Sequence, residues 1–314
     1  MALLSSMIRG NDPRADDPLL LLGRLDGRLQ GSTCADIFLA RSRLEGACAL
    51  AALAGVPIAV RDLQEWIAGR TPPPRFTEGL NDPISVAAIF HIALSRDEGL
   101  SDPLAQATLN ALRSVLDDRA EAEAYASSDL AHFGPLWRHV QAAADAPSQT
   151  GDLLSIARRV FELASLTEAA STGSWDVVSV DGRTLNLPPR DRGRNWLIAV
   201  ATPRMLYRAG FTTRVIPSFI LLPKYLPPSP TDLAATMAQV IGRTAQAGLR
   251  ELDAIERAAA RIQFGLQVTK RSKAPLLARL QLSYPGLRPG AVARLLKVTP
   301  QGARKLLASV HSHD

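Results

Sequence analysis

A mainly α-helical fold is predicted by three features of the sequence. Apolar residues fill 46% of the 314 positions, but aromatics fill only 5%. The apolar content is dominated by Ala and Leu rather than by the Val, Ile, Tyr and Phe that strands favour. Over most of the chain the apolar residues recur at three- and four-residue intervals, with proline and glycine clusters between the runs. This apolar content excludes wholesale disorder, and the length suggests about two domains.

The elements follow in order. Residues 1–18 read as a flexible arm, without the hydrophobic region and cleavage pattern of a signal peptide, so a cytoplasmic protein is expected. The longest uncharged apolar run, 47–60, is interrupted by Pro57 and is shorter than the ~18 residues a bilayer span needs, so no membrane partner is expected. Helices are predicted over 19–29 and, from a cap at Ser32 or Thr33, to about Ala54, where Gly55 and Pro57 stop the second. A helix over 60–68 precedes a proline-rich loop at 69–83. Four more are predicted over 84–95, 102–124, 129–144 and 152–167, the third with Pro135 placed to kink or split it.

The texture changes at 175–187, WDVVSVDGRTLNL. Asp181-Gly182 between two Val/Leu-rich runs predicts a small β-hairpin, because Asp-Gly suits a turn whose twist matches the strands. A sub-boundary near 170–190 is placed here. Arg190, Arg192 and Arg194 form a basic loop before a helix over 195–208 that Pro203 is placed to break. Five prolines within 215–230 argue against helix there, leaving that apolar segment as core or as the lining of a pocket for a small-molecule effector. Thr231 or Asp232 then caps a helix to about Leu266. Its stripe of Leu233, Met237, Val240, Ile241, Gly248, Leu252, Ile255, Ala259 and Ile262 belongs either to the core or to a homodimer seam.

Charge is distributed unevenly. The chain carries 36 Lys/Arg and 30 Asp/Glu, a net +6. From Ile262 onward there are nine basic residues and one acid, a net +8, so the preceding 261 residues sum to −2. Such asymmetry points to an anionic partner for the C-terminal part, double-stranded DNA first.

The pattern of residues 274–314 sharpens this expectation. A helix over 274–282 turns its leucines inward, and Tyr284-Pro285-Gly286 breaks it. Pro289 opens a second helix to Leu296 from the position helices tolerate best for proline. After a tight turn at Lys297-Val298, Thr299 caps a third helix over 300–310. That helix has Ala303, Leu306, Leu307 and Val310 on one face, and Gln301, Arg304, Lys305 and Ala308 on the other. This is the pattern of a helix-turn-helix. Gln301, Arg304 and Lys305 are the candidate base readers, since Gln matches the adenine edge and Arg the guanine N7 and O6. Thr299, Lys297, Arg294, Arg288 and the hinge residues Lys270, Arg271 and Lys273 are the candidate phosphate contacts.

The runs KRSKAPLLARL and RPGAVARLLKVTPQGARKLL resemble the C-terminal DNA-binding domain of an uncharacterised rhizobial and alphaproteobacterial family, often plasmid-borne. LGRLDGRLQGS, WLIAVATPRMLYRAGF and VIPSFILLPKY are similar to the helical domain of unknown function that precedes it in that family. The resemblance implies a cytoplasmic transcriptional regulator with no known ligand or operator. In the family the domain continues past the third helix, where a β-wing would lie. Here only seven residues follow Leu307, so affinity is expected to rest more on dimerisation.

The predicted organisation is therefore a flexible arm (1–18), a multi-helix domain of unknown function (19–266), a basic hinge (267–273) and a helix-turn-helix domain (274–314). An interaction adaptor, whose basic C-terminal domain docks a protein, is the alternative. An enzyme is not expected, and neither is a cofactor or metal. There is no HExxH, phosphate-cradling glycine loop, GxSxG or CxxC. Cys34 and Cys48 read as reduced buried thiols, and His91 as a core histidine. His132 and His139, if on one helix, lie two turns apart.

Overall fold

A computed structural model describes residues 17–71, 83–95, 102–116, 131–132, 136–147, 151–169, 176–180, 183–187, 195–261 and 272–311. The protein is mainly helical. The arm 1–16, the turn Asp181-Gly182, the loop arginines 190, 192 and 194, and Lys270 and Arg271 lie outside the described residues.

The N-terminal helices are α1 (Pro18–Gly31), α2 (Ala35–Leu53) and α3 (Val60–Ile67). Asp17 caps α1 by accepting a bond from the Leu19 amide at 2.9 Å. Cys34 occupies the cap position of α2, but its side chain does not bond to the amides of the helix's first turn. Ser32 instead accepts from the Cys34 amide and donates to Glu256. Next come α4 (Pro83–Leu94), α5 (Pro103–Leu116), α6 (Leu136–Asp145) and α7 (Leu153–Ala169). Strand β1 (Ala131–His132) precedes α6 and pairs antiparallel with β2 (Asp176–Val180), which pairs in turn with β3 (Arg183–Leu187). His132 and His139 therefore do not share a helix. The single helix expected over 129–144 is thus replaced by β1 and α6, and Pro135 lies outside the described residues.

The predicted 195–208 helix is two, α8 (Asn195–Ala199) and α9 (Thr202–Arg208). Thr202 holds the break, donating its hydroxyl to the carbonyls of Ala199 and Phe219 and accepting the Leu221 amide. The first half of the segment 215–230 is core, with Ile216, Phe219, Leu221 and Leu222 buried, while its second half lies at the surface with Tyr225 exposed. It passes close to α2, where the Ser42 hydroxyl meets Ser218 at 2.9 Å. At Gly46 a Cβ would lie 2.3 Å from the Pro217 carbonyl oxygen, so only glycine lets the two backbones touch.

Helix α10 (Pro230–Arg261) runs 32 residues, about 48 Å. Its cap is Ser229 rather than Thr231 or Asp232. Ser229 accepts the Asp232 amide at 3.2 Å and donates to the Asp232 carboxylate at 2.6 Å, a reciprocal cap. The apolar stripe is consumed within the chain, where α10 packs on α1, α7 and α2. At Gly248 a Cβ would meet Leu25 and Phe38.

Helix α2 occupies the centre, flanked by α3, α4, α5, α8, α10 and the C-terminal α11 (Ala274–Ser283). Of its side chains only Ala52 is exposed. Arg43 is 2% exposed and pairs with Asp102 at 3.4 Å. Glu45 is pushed up to about 8 by burial and then by the facing Glu251 carboxylate, against the pull of Arg41. His91 on α4 is pushed down to about 3 by burial and by Arg43.

These close quarters set the effect of substitution and of pH. Gly46→Ala must displace the Pro217 backbone and is expected to cost roughly 1–3 kcal/mol or more. Gly27→Ala on the open face of α1 should instead stabilise by about 0.5–1 kcal/mol. Urea midpoints of the two variants check both signs. The folded protein holds a proton at Glu45 that the unfolded chain releases above about 4.5, so this group's stability is lost as pH rises from about 4.5 to about 8. His91 acts in the opposite sense, its contribution being lost as pH falls from about 6.5 to about 3. Glu45→Gln should remove the decline at the alkaline side and leave the acid limb in place, measured as melting temperature against pH.

Candidate nucleic-acid interface

Three helices close the chain: α11, α12 (Pro289–Leu296) and α13 (Pro300–His311). Ser272 caps the start of α11 by accepting the Ala274 amide. The break after it is anchored by Tyr284, which is fully buried and shares a 2.7 Å hydrogen bond with Thr108 of α5. Burial pushes the Tyr284 phenol up to about 12, so it stays protonated. Gly286 turns the chain at φ 76°, and Arg288 donates its amide to the Ala68 carbonyl at 3.0 Å before α12 begins.

The α12–α13 turn has a defined geometry. Lys297 ends α12 in the left-handed region, φ 48° and ψ 58°, and the Val298 amide returns to the Ala293 carbonyl at 3.1 Å. Thr299 then caps α13, its Oγ1 accepting the Gly302 amide at 3.1 Å. Ala303 is buried, and Leu306 and Leu307 are half-buried against the unit. Gln301, Arg304 and Lys305 all project outward on the opposite face.

Each candidate phosphate contact has a definite place. Lys297 and Arg288 are exposed. Arg294 is exposed with its guanidinium 5.9 Å from the centroid of the Trp66 ring, which orients it without neutralising it. The Thr299 hydroxyl is committed to its cap. The exposed Lys273 donates one N–H of its Nζ to the Leu296 carbonyl at 2.6 Å and so steadies the end of α12. Arg70 is a cation that the sequence does not single out. It is exposed beside Gly286, pairing with Glu65 at 3.8 Å, and it adds a charge next to Arg288. Nothing local signals it, since it arrives from the far side of the chain after α3.

The unit is braced by the rest of the protein. Arg279 forms a two-pronged ion pair with Asp36 and donates to the Thr33 carbonyl. Arg41 donates to the Leu282 carbonyl at 2.6 Å, and Asn110 to the Leu295 carbonyl at 3.1 Å. Leu277, Val292, Leu295 and Ala303 belong to one continuous core with α2 and α5.

Other sites are less equipped. A cavity of about 180 Å³ lies between α4, α6 and α9, with Val215 on its wall and the Asp145–Arg204 ion pair at its edge. It is smaller than the ~300 Å³ at which ordinary ligand pockets begin. Among the described residues no group of three His, Cys, Asp or Glu could hold a metal. Cys34 and Cys48 are buried free thiols, and burial pushes Cys48 up to about 12. Among the described residues no helix is long and apolar enough to cross a membrane.

The left-handed Lys297 carries strain that glycine would not. Lys297→Gly is expected to raise stability by about 0.5–1 kcal/mol while removing one exposed charge from the face. Thermal melting together with duplex binding separates the two effects.

Compared with known protein families, curated proteins and solved structures, the chain matches none.

Proposed function

We propose that the protein is a sequence-specific DNA-binding transcriptional regulator that inserts the outer face of α13 into the major groove. The observation that carries this reading is the row Gln301, Arg304 and Lys305, exposed on a capped helix whose opposite face packs against the unit through Ala303, Leu306 and Leu307. A helix so anchored presents its polar side chains at fixed positions, which base reading requires. Gln301 pairs with the adenine N6/N7 edge and Arg304 with guanine O6/N7, with Lys305 beside them. Lys297, Arg294 and Arg288, joined by Arg70, meet phosphates, and the amide end of α13 favours a phosphate as well. Lys273 gives one of its three N–H donors to the end of α12 and keeps the others for a phosphate. The +8 balance after residue 261 supports the same partner. In this reading the protein acts in the cytoplasm, as a dimer on an inverted repeat with half-sites about one helical turn apart.

The test is recovery of genomic DNA fragments by the purified protein, in parallel with Arg304→Ala. One palindromic sequence should be enriched by the wild type, and the variant should lose roughly 1–3 kcal/mol of preference at one base position. Uniform, salt-labile binding by both proteins would discard base reading and favour an adaptor whose basic surface docks a protein.

A further inference from the structure

We infer that the outer face of α10 is a second contact surface, one that grips the phosphate backbone of duplex DNA without reading sequence. It rests on the DNA-binding reading above but uses different residues. Arg243, Arg250, Arg257 and Arg261 are all exposed on α10. The first three are seven residues apart, which places them on one face at steps of about 10.5 Å with only ~20° of drift per step. The row as a whole spans about 27 Å. Leu233, Met237, Ile241, Leu252 and Ile255 are buried on the opposite side, so the rotation of the helix is fixed and the arginines stay outward.

The row is also electrically unbalanced, which the sequence of α10 conceals. Its nearby carboxylates are answered by the body of the protein. Glu251 pairs with Arg41 at 3.3 Å, while Asp253 and Glu256 both pair with Arg28 of α1, at 2.6 and 2.5 Å. Among the described residues none of the four arginines pairs with a carboxylate. The helix therefore keeps its four arginine charges toward solvent, while its nearby carboxylates, Asp253 and Glu256 themselves partly exposed, are drawn to Arg28 and Arg41.

The chemistry favours a phosphate backbone over the alternatives. Arginine matches phosphate oxygens with a planar fork of donors. Between the arginines the exposed residues are Gln246, Ala247, Ala254 and Ala260. That leaves no large apolar or aromatic anchor of the kind a protein interface needs, and no aromatic platform on which single-stranded bases would stack. A duplex carries one charge per ~1.7 Å of axis, so a straight row of this length finds phosphates in any register.

The experiment uses the full chain and a random-sequence 30-bp duplex (~30 bp covers the row), with binding followed by fluorescence anisotropy from low to moderate NaCl. The Arg243→Ala, Arg250→Ala, Arg257→Ala triple variant places good helix formers at exposed sites, and circular dichroism confirms its fold. Its salt dependence, log K against log[salt], is expected to flatten by about 2–3, with affinity at low salt falling at least tenfold. The three-lysine counterpart should keep most of the slope. Preference for a selected sequence over random duplex should be unchanged in the triple variant, whereas Arg304→Ala should lower that preference and leave most of the slope. An unchanged slope in the triple variant overturns the inference while leaving the regulator reading intact. A flattened slope in a protein with no sequence preference upholds the inference and defeats that reading. If the triple variant loses binding to polyglutamate but not to DNA, the row belongs to an acidic protein partner and the inference fails.

Discussion

The burial of α2 on every side is the constraint on which the rest of the structure depends. A helix so enclosed gives its polar side chains little access to water, yet α2 carries Asp36, Arg41, Ser42, Arg43 and Glu45. Each is answered from a distant part of the chain: Asp36 by Arg279, Arg41 by Leu282 and Glu251, Ser42 by Ser218, Arg43 by Asp102, Glu45 by Glu251. A buried ion pair gains little net stability over an apolar substitute, but losing one partner strands a charge in a low-dielectric interior. These ties therefore act as registration pins. The satisfaction is incomplete, since Arg43 Nε and His91 Nε2 are buried with no hydrogen-bond partner among the described residues.

The same pins decide how the C-terminal helices are presented. Arg41 and Arg279 bind α11 to α2, the Tyr284–Thr108 bond and Asn110 bind the unit to α5, and the Arg288 amide ties α12 to the end of α3. Side chains on the outer face of α13 are thereby held by a core that extends through the whole helical body rather than by three short helices alone. Units of this size bury too little surface to be robust by themselves, and here α2 and α5 supply the missing contact.

Much of this is legible in the sequence where local chemistry dictates the outcome. Pro289, Thr299 and Pro300 signal the starts of α12 and α13 through capping rules, and the period of Ala303, Leu306 and Leu307 separates the buried from the exposed face of α13. The apolar stripe of α10 is equally plain. Its cap is harder to place because Thr231 and Asp232 compete with Ser229 as cap residues, and only the geometry shows Ser229 bonding back to Asp232. The centre of the fold is opaque for the opposite reason. A helix buried on nearly every side shows no single apolar face in its pattern, and a buried Arg43 looks like any surface arginine until Asp102 is brought to it. The arginine row on α10 is hidden because Glu251, Asp253 and Glu256 interleave with it, and the sequence does not say which side each charge faces.

The bond between Arg279 and Asp36 joins residues 243 positions apart, and this has a consequence for synthesis. At ~5–20 residues per second a ribosome delivers the second partner roughly 10–50 s after the first. Throughout that interval α2 is exposed on the side that α11 will cover, with an apolar surface and unanswered charges. Such long-range closure is slow to reach as well as late to begin. The nascent chain must be sheltered from aggregation for longer than its helical content suggests, and a product interrupted before α11 leaves the centre of the protein open to proteases.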